Sequence, residues 1–287
     1  MQEISPKVRA FCEVAEREEY KWAWIDTCCI DKSSSAELSE AINSMFRYYT
    51  LALVCYAYLG DVPSAVAFDT FLNGSADDIR WFKRGWTLQE LIAPRVVCFL
   101  SQTWEFLGSK AEFATLLEDI TRIPASVLRL ESDLTTFSIA QRMSWAADRQ
   151  TTRPEDEAYC LLGIFDVNMP TLYGEGRKAF RRLQEEIMKQ SPDTTLFAWG
   201  NRAACGAEAV LQRYTISTRL FADSPRDFYP SSDIRYTPRM GGHYPGPKHP
   251  DGTLPRNADG AQIAHSPSVW RNFISFNHSI KYVSSRL

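Results

Sequence analysis

Two short apolar runs, Leu53-Val54-Cys55-Tyr56-Ala57-Tyr58-Leu59 and Val96-Val97-Cys98-Phe99-Leu100, constrain the fold more than any other feature. Each is too short for a buried helix. The first is closed by Gly60-Asp61-Val62-Pro63 and the second is preceded by Pro94, so both read as buried strands. Ahead of them, Leu38, Ile42, Met45, Phe46 and Tyr49 recur at helical spacing, and Ser34 with Glu37 three residues on has capping-box spacing. Trp22-Ala23-Trp24-Ile25-Asp26 reads as a further strand behind an amphipathic helix over 6–19. The first hundred residues therefore alternate helix, strand, helix, strand, short helix, strand. That order predicts an α/β fold: a parallel sheet with flanking helices, whose ligands bind beyond the carboxyl ends of the strands. Asp26, Cys28, Cys29 and Asp31 follow one such end. The chain opens on a helix where this architecture expects a strand, so the sheet is expected to lack its first strand.

Between the two apolar runs lies Arg84-Gly85-Trp86-Thr87-Leu88-Gln89-Glu90-Leu91-Ile92-Ala93-Pro94, a short helix stopped by its proline. At helical pitch Leu88, Leu91 and Ile92 share one face, while Trp86, Gln89, Glu90 and Ala93 share the other. The second face sets a large ring one turn from a carboxylate, a wall suited to a small-molecule site. The plainer alternative is a solvated Glu beside a half-buried Trp. Arg84 would serve a nucleotide phosphate or pair with an acid such as Asp61.

From about residue 104 the pattern becomes helical, with segments near 109–119, 124–130, 137–147, 155–165 and 175–190. Pro154 ahead of Glu155-Asp156-Glu157 marks a helix start. Leu172-Tyr173-Gly174-Glu175-Gly176 reads as a helix-entry turn, since it lacks the spacing and the lysine-serine pair of a phosphate loop. Residues 238–260 hold five prolines and five glycines without periodicity, which predicts an irregular C-terminal region.

Composition narrows the chemistry. A formal net charge of −3 and a pI near 5.9 give no electrostatic reason for nucleic acid or an anionic membrane as partner. Seven cysteines, scattered except for Cys28 and Cys29, suit small core hydrophobes in a reducing compartment. No signal segment or membrane-length apolar run is visible, so the expected location is cytoplasmic. All four histidines lie at 243 or later, which argues against a His-activated nucleophile or a His-bearing zinc site in the main body. No metal site is expected: Asp26 and Asp31 lack further oxygen ligands.

Five motifs then point to one family. They are Trp24-Ile25-Asp26-Thr27-Cys28-Cys29-Ile30-Asp31, the Arg84–Leu91 stretch, Gln141-Arg142-Met143-Ser144-Trp145-Ala146, Glu155-Asp156-Glu157-Ala158-Tyr159-Cys160-Leu161-Leu162-Gly163, and Leu172-Tyr173-Gly174-Glu175-Gly176. In this order they resemble the fungal heterokaryon-incompatibility (HET) domain, across roughly residues 8–200. The resemblance implies a HET domain over 1–200, with an α/β part to about 103, a helical part over 104–200, and an extension over 201–287. It also implies a fungal self/non-self recognition protein that triggers programmed cell death, a form of innate immunity. Such a protein would work through self-association or an upstream receptor-type partner.

HET domains are in turn remotely similar to Toll/interleukin-1 receptor (TIR) domains, which implies a flavodoxin/TIR-like sheet. Some TIR domains cleave NAD+, and a Trp-Cys-Leu-x-Glu-Leu stretch carries their glutamate. Trp86-Thr87-Leu88-Gln89-Glu90-Leu91 has that spacing, so the resemblance makes Glu90 the candidate catalytic carboxylate. Trp86, Asp26, Cys29, Asp31 and Arg84 are then candidate ligand-lining residues. No resident cofactor is implied, because NAD+ would be the substrate. A non-enzymatic signalling module, or an inactive truncated paralogue, remains the alternative.

Overall fold

A computed structural model describes residues 5–64, 79–200 and 219–237, together with the backbone of 274–275. The 73–75 turn, the proline- and glycine-rich segment and all four histidines lie outside the described residues. The chain divides into two compact units, Met1–Glu37 with Pro238–Leu287, and Leu38–Thr237.

In the first unit, helix α1 (Pro6–Arg17) starts where the Ser5 hydroxyl accepts from Val8 N at 3.3 Å and Pro6 occupies a position whose N–H has no helical acceptor. Its stripe buries Val14 and Ala15. The strand expected over 22–26 is only two residues long: β1 (Trp22–Ala23) pairs antiparallel with β5 (Ile274–Ser275). Ile25 stays extended, and Asp26 opens the single-turn helix α2 (Asp26–Cys29) instead of ending a strand.

Helix α3 (Ser35–Leu51) buries Ile42 and Met45 of its predicted stripe together with Ala41, while Leu38, Phe46 and Tyr49 are half-buried. Only half of its capping box forms. Ser34 Oγ accepts from Glu37 N at 3.3 Å, while the Glu37 carboxylate takes the Asp31 N–H at 2.8 Å.

The second unit is a mixed α/β body around a small open sheet. β2 (Cys55–Tyr58) and β3 (Val97–Leu100) run parallel, and β3 pairs antiparallel with β4 (Phe106–Ser109), in the order β2-β3-β4. Parallel pairing follows from the connection between the two apolar runs, which passes through α4 (Arg80–Lys83) and α5 (Thr87–Ile92). β4 falls where the sequence reads as helical. Its residues, Phe-Leu-Gly-Ser, have no sustained alternation, and tertiary pairing with β3 decides their conformation.

Behind the sheet come short helices: α6 (Ala114–Thr121), α7 (Ala125–Leu128), α8 (Ile139–Ser144), α9 (Asp156–Tyr159) and the longer α10 (Lys178–Gln190). Ala57, Val97 and Phe99 from the sheet join Leu88, Leu91, Met143, Tyr159, Phe180 and Leu183 in one core. Each large side chain buried there contributes about 1.5–3 kcal/mol. α8 begins with a complete capping box, Ser138 with Gln141. The Asp193 carboxylate and the Thr195 hydroxyl take the next two N–H groups, of Ile139 (2.8 Å) and Ala140 (3.1 Å). Asn43 on α3 exchanges two hydrogen bonds with the backbone of Met169, at 3.1 and 3.0 Å.

α5 departs from the two-faced reading. Gln89 is 1% exposed and Ala93 7%, so the side expected to be open is largely covered, and only Trp86 and Glu90 remain half-buried.

Candidate functional site

The start of α5 is held by residues some 65 positions further on. Gly85 N donates to Gln150 O at 2.8 Å and Gln150 N to Lys83 O at 2.6 Å, a single parallel bridge of Arg84 with Gln150. Arg149 reaches in beside it. One of its guanidinium nitrogens donates to Arg84 O (2.9 Å) and to Thr87 Oγ1 (2.8 Å), while its other terminal nitrogen is buried without a hydrogen-bond partner. Burial brings the Arg149 pKa down to about 10, opposed by the Glu90 carboxylate. No Cβ fits at Gly85: it would sit 2.5 Å from Thr151 Cγ2 and 3.3 Å from Cys160 Sγ. The glycine is what lets α5 and α9 approach this closely.

The other end of α5 is capped by a buried amine. Lys110 is 1% exposed, and its Nζ donates to Pro94 O at 2.5 Å and Ile92 O at 3.5 Å. These carbonyls end the helix without intrahelical partners, and a cation there also complements the helix dipole. Desolvation still lowers the Lys110 pKa to about 8. Burial pushes the neighbouring Cys55 thiol well up, reinforced by the charge of Glu90.

Trp86 and Glu90 thus stand one turn apart on a helix fixed at both ends. Glu90 exerts its field on Cys55, the first residue of β2, and on Arg149. It therefore sits near the amino end of that strand, whereas α/β sites ordinarily open at the carboxyl end.

Asp156 on α9 accepts from the Tyr173 hydroxyl at 2.9 Å. Desolvation raises the Asp156 pKa despite this donor. Tyr173 stands edge-on to Tyr159 (5.4 Å between centroids, 88°), and the Arg153 guanidinium lies 4.5 Å over its ring. The Tyr159 hydroxyl accepts from Leu172 N (2.7 Å) and donates to Glu175 (3.0 Å), while Arg182 binds Glu175 and Pro170 O.

The turn at Gly174 and Gly176 is organised by a protein carboxylate: one Glu155 oxygen accepts from both N–H groups, at 2.8 and 2.9 Å. Both glycines have positive φ, 104° and 63°. These donors hold the Glu155 pKa below the ordinary glutamate value. Its contribution is thus present near neutrality and lost as the pH falls through that lowered value. Glu155→Ala is expected to cost about 2 kcal/mol at pH 7, and less in acid, in urea unfolding.

The remaining sequence candidates have local roles. Asp26 is exposed at the start of α2, with Lys32 at 3.9 Å. The Cys29 sulfur accepts from Ile25 N at 3.4 Å, and burial pushes its thiol up to about 11, which suppresses a thiolate. Asp31 takes the Ser33 N–H and hydroxyl at 2.8 and 2.6 Å, which lowers its pKa and closes the turn into α3. These three belong to the first unit; Arg84, Trp86 and Glu90 belong to the second. The Arg84 side chain is exposed, and Asp61 is engaged by Arg80 instead, through its backbone N–H at 2.7 Å and its guanidinium at 3.6 Å.

Among the described residues, no group of three or more His, Cys, Asp or Glu side chains could hold a metal ion, and no helix is long and apolar enough to cross a membrane. A cavity of about 20 Å³, lined by Phe82, Lys83, Arg122, Trp145, Asp148 and Arg149 among others, has room for a water molecule and not for a dinucleotide.

The sequence reading did not single out Asp156, Arg149, Tyr173 or Glu155 as site residues. Pro154 followed by acids signalled a helix start, but nothing local announces that the end of α9 lies against Gly85.

Residues 1–78 match the family described as heterokaryon incompatibility protein (HET), and residues 178–243 match a domain of unknown function (DUF8212). The chain is 48% identical over 187 residues, 64% of its length, to "Vegetative incompatibility protein HET-E-1" of Podospora anserina. The matched stretch is 14% of that protein, so the chain spans about a seventh of its length. No solved structure matches.

Proposed function

We propose that this chain, a fungal HET-domain protein, is a self/non-self recognition module whose engagement leads to cell death in the cytoplasm. The observation that carries this is the 48% identity to a vegetative incompatibility protein over 187 residues. Three of the motif stretches also pack as one assembly: Arg84–Leu91, the Glu155 helix and the glycine turn. Engagement would come from self-association or from an upstream receptor-type partner. Expression in a fungal host tests the reading: growth arrest is expected, and normal growth at high protein levels would overturn it.

A second reading concerns chemistry. The parallel β2–β3 pair linked through helices is compatible with a flavodoxin/TIR-type frame, and Glu90 keeps partial solvent access one turn from Trp86. On this reading the domain is an NAD+ nucleosidase, and Glu90 stabilises the oxocarbenium-like state as nicotinamide leaves. Glu90→Ala is then expected to lower nicotinamide release from NAD+ by about 100-fold or more. Killing that survives Glu90→Ala but is lost when self-association is disrupted would favour a non-enzymatic module.

A further inference from the structure

The helix that carries Trp86 and Glu90 does not fix its own start: Trp86 stands at the cap position and makes no side-chain hydrogen bond to the first turn. We propose that Arg149 is the positioning residue of the Trp86–Glu90 wall, clamping the Arg84–Thr87 segment from outside so that both side chains leave α5 at set angles. This rests on the reading of Trp86 and Glu90 as the working face.

The clamp is a closed triangle of hydrogen bonds. Arg149 Nη1 donates to Arg84 O at 2.9 Å and to Thr87 Oγ1 at 2.8 Å, and the Thr87 hydroxyl shares its proton between the same Arg84 O (2.8 Å) and Trp81 O (2.5 Å). One nitrogen thus grips both ends of the segment, and Trp86 lies inside it. Gly85, the other inner residue, is held by Gln150 O, which follows Arg149 in the chain. Thr87 is 1% exposed, so water does not take over the contact when the guanidinium is removed. A helix of six residues does not hold its own direction. The angle at which Trp86 and Glu90 stand therefore follows from where Arg149 places the first turn. The other terminal nitrogen of Arg149 is buried with no acceptor, which is costly. The guanidinium's place is set by the clamp and not by its own solvation.

The test is a double-mutant cycle of Arg149→Met and Thr87→Val on the full chain, at a temperature where each variant is folded by circular dichroism. The tryptophan indole 15N–1H resonances are recorded for each, with that of Trp86 assigned from Trp86→Phe. Arg149→Met is expected to move the Trp86 resonance and to lower killing by about tenfold. Where nicotinamide release is present, the same loss is expected in kcat, with KM changed by less than about twofold. Thr87→Val removes the acceptor at the other end of the clamp and is expected to change both readouts in the same direction, so it carries the test if Arg149→Met does not fold. In the Thr87→Val background Arg149→Met is expected to add less loss than it causes alone. Gly163→Ala, a core change against Phe46, serves as the control for lost stability. An unmoved Trp86 resonance, equal loss in both backgrounds, or the same shift and loss in folded Gly163→Ala would overturn the proposal. A wild-type chain that neither kills nor releases nicotinamide would sink the functional reading, while coupled shifts of the Trp86 indole would still establish Arg149 as the clamp.

Discussion

Gly163→Ala is expected to lower the thermal midpoint by roughly 6–12 °C, a loss of about 3 kcal/mol. Gly163 sits in the 3₁₀ turn Leu162–Ile164 against α3, and an added Cβ would lie 2.0 Å from Phe46 Cβ and 2.5 Å from Phe46 Cγ. The clash is with the root of the side chain, which no rotamer can move. Relief requires α3 or the turn to shift inside a close-packed core. Phe46→Ala therefore should not rescue the variant, because the Cβ at 2.0 Å remains. Differential scanning calorimetry of both variants checks this, and rescue by Phe46→Ala would show that the ring alone caused the strain.

The second large effect is a pH dependence that belongs to Lys110. Its folded pKa, about 8, lies below the ordinary lysine value. Below pH 8 both states hold the proton and the full cost of burying the cation is present. Between pH 8 and about 10.4 the unfolded chain binds more protons, so this group makes stability rise with pH. The raised thiols of Cys55 and Cys160 act in the opposite sense at alkaline pH, because the folded state keeps their protons. The measurement is therefore the stability of wild type minus that of Lys110→Met, from urea unfolding at a series of pH values. The difference is expected to shift in favour of wild type by about 3 kcal/mol from pH 7.5 to 10.5. A flat difference would mean that the amine is solvated, not buried.

Elements with strong periodicity or composition were legible. The two apolar runs became β2 and β3, the five-residue helical stripe became α3, and the Phe180, Leu183 and Ile187 face of α10 is buried as its spacing indicates. The 155–165 segment was legible only as far as Tyr159, because the helix gives way to the tighter turn around Gly163, where α3 packs. β1 was over-read: Trp22 and Ala23 pair with a strand more than 250 residues away, which no local pattern announces. α5 was half-read, since amphipathic spacing sets Gln89 and Ala93 on the open face, while both are buried. Of the site, Trp86 and Glu90 were visible because both lie on one helix. Asp156, Tyr173 and Arg149 were not, because Arg149 meets Arg84 and Thr87, and Tyr173 meets Asp156, only through tertiary hydrogen bonds that spacing does not announce.

The bridge from Arg84 to Gln150 also sets an order of events in the making of the protein. α5 has only six residues, too few to persist as an isolated helix. The groups that hold its amino end arrive 65 residues later, and the Asn43–Met169 clasp closes across 126. At ordinary synthesis rates the first interval alone lasts about 3–13 s. During that time the Trp86–Glu90 face has no defined geometry on the ribosome. That face takes its final geometry only when most of the chain has emerged.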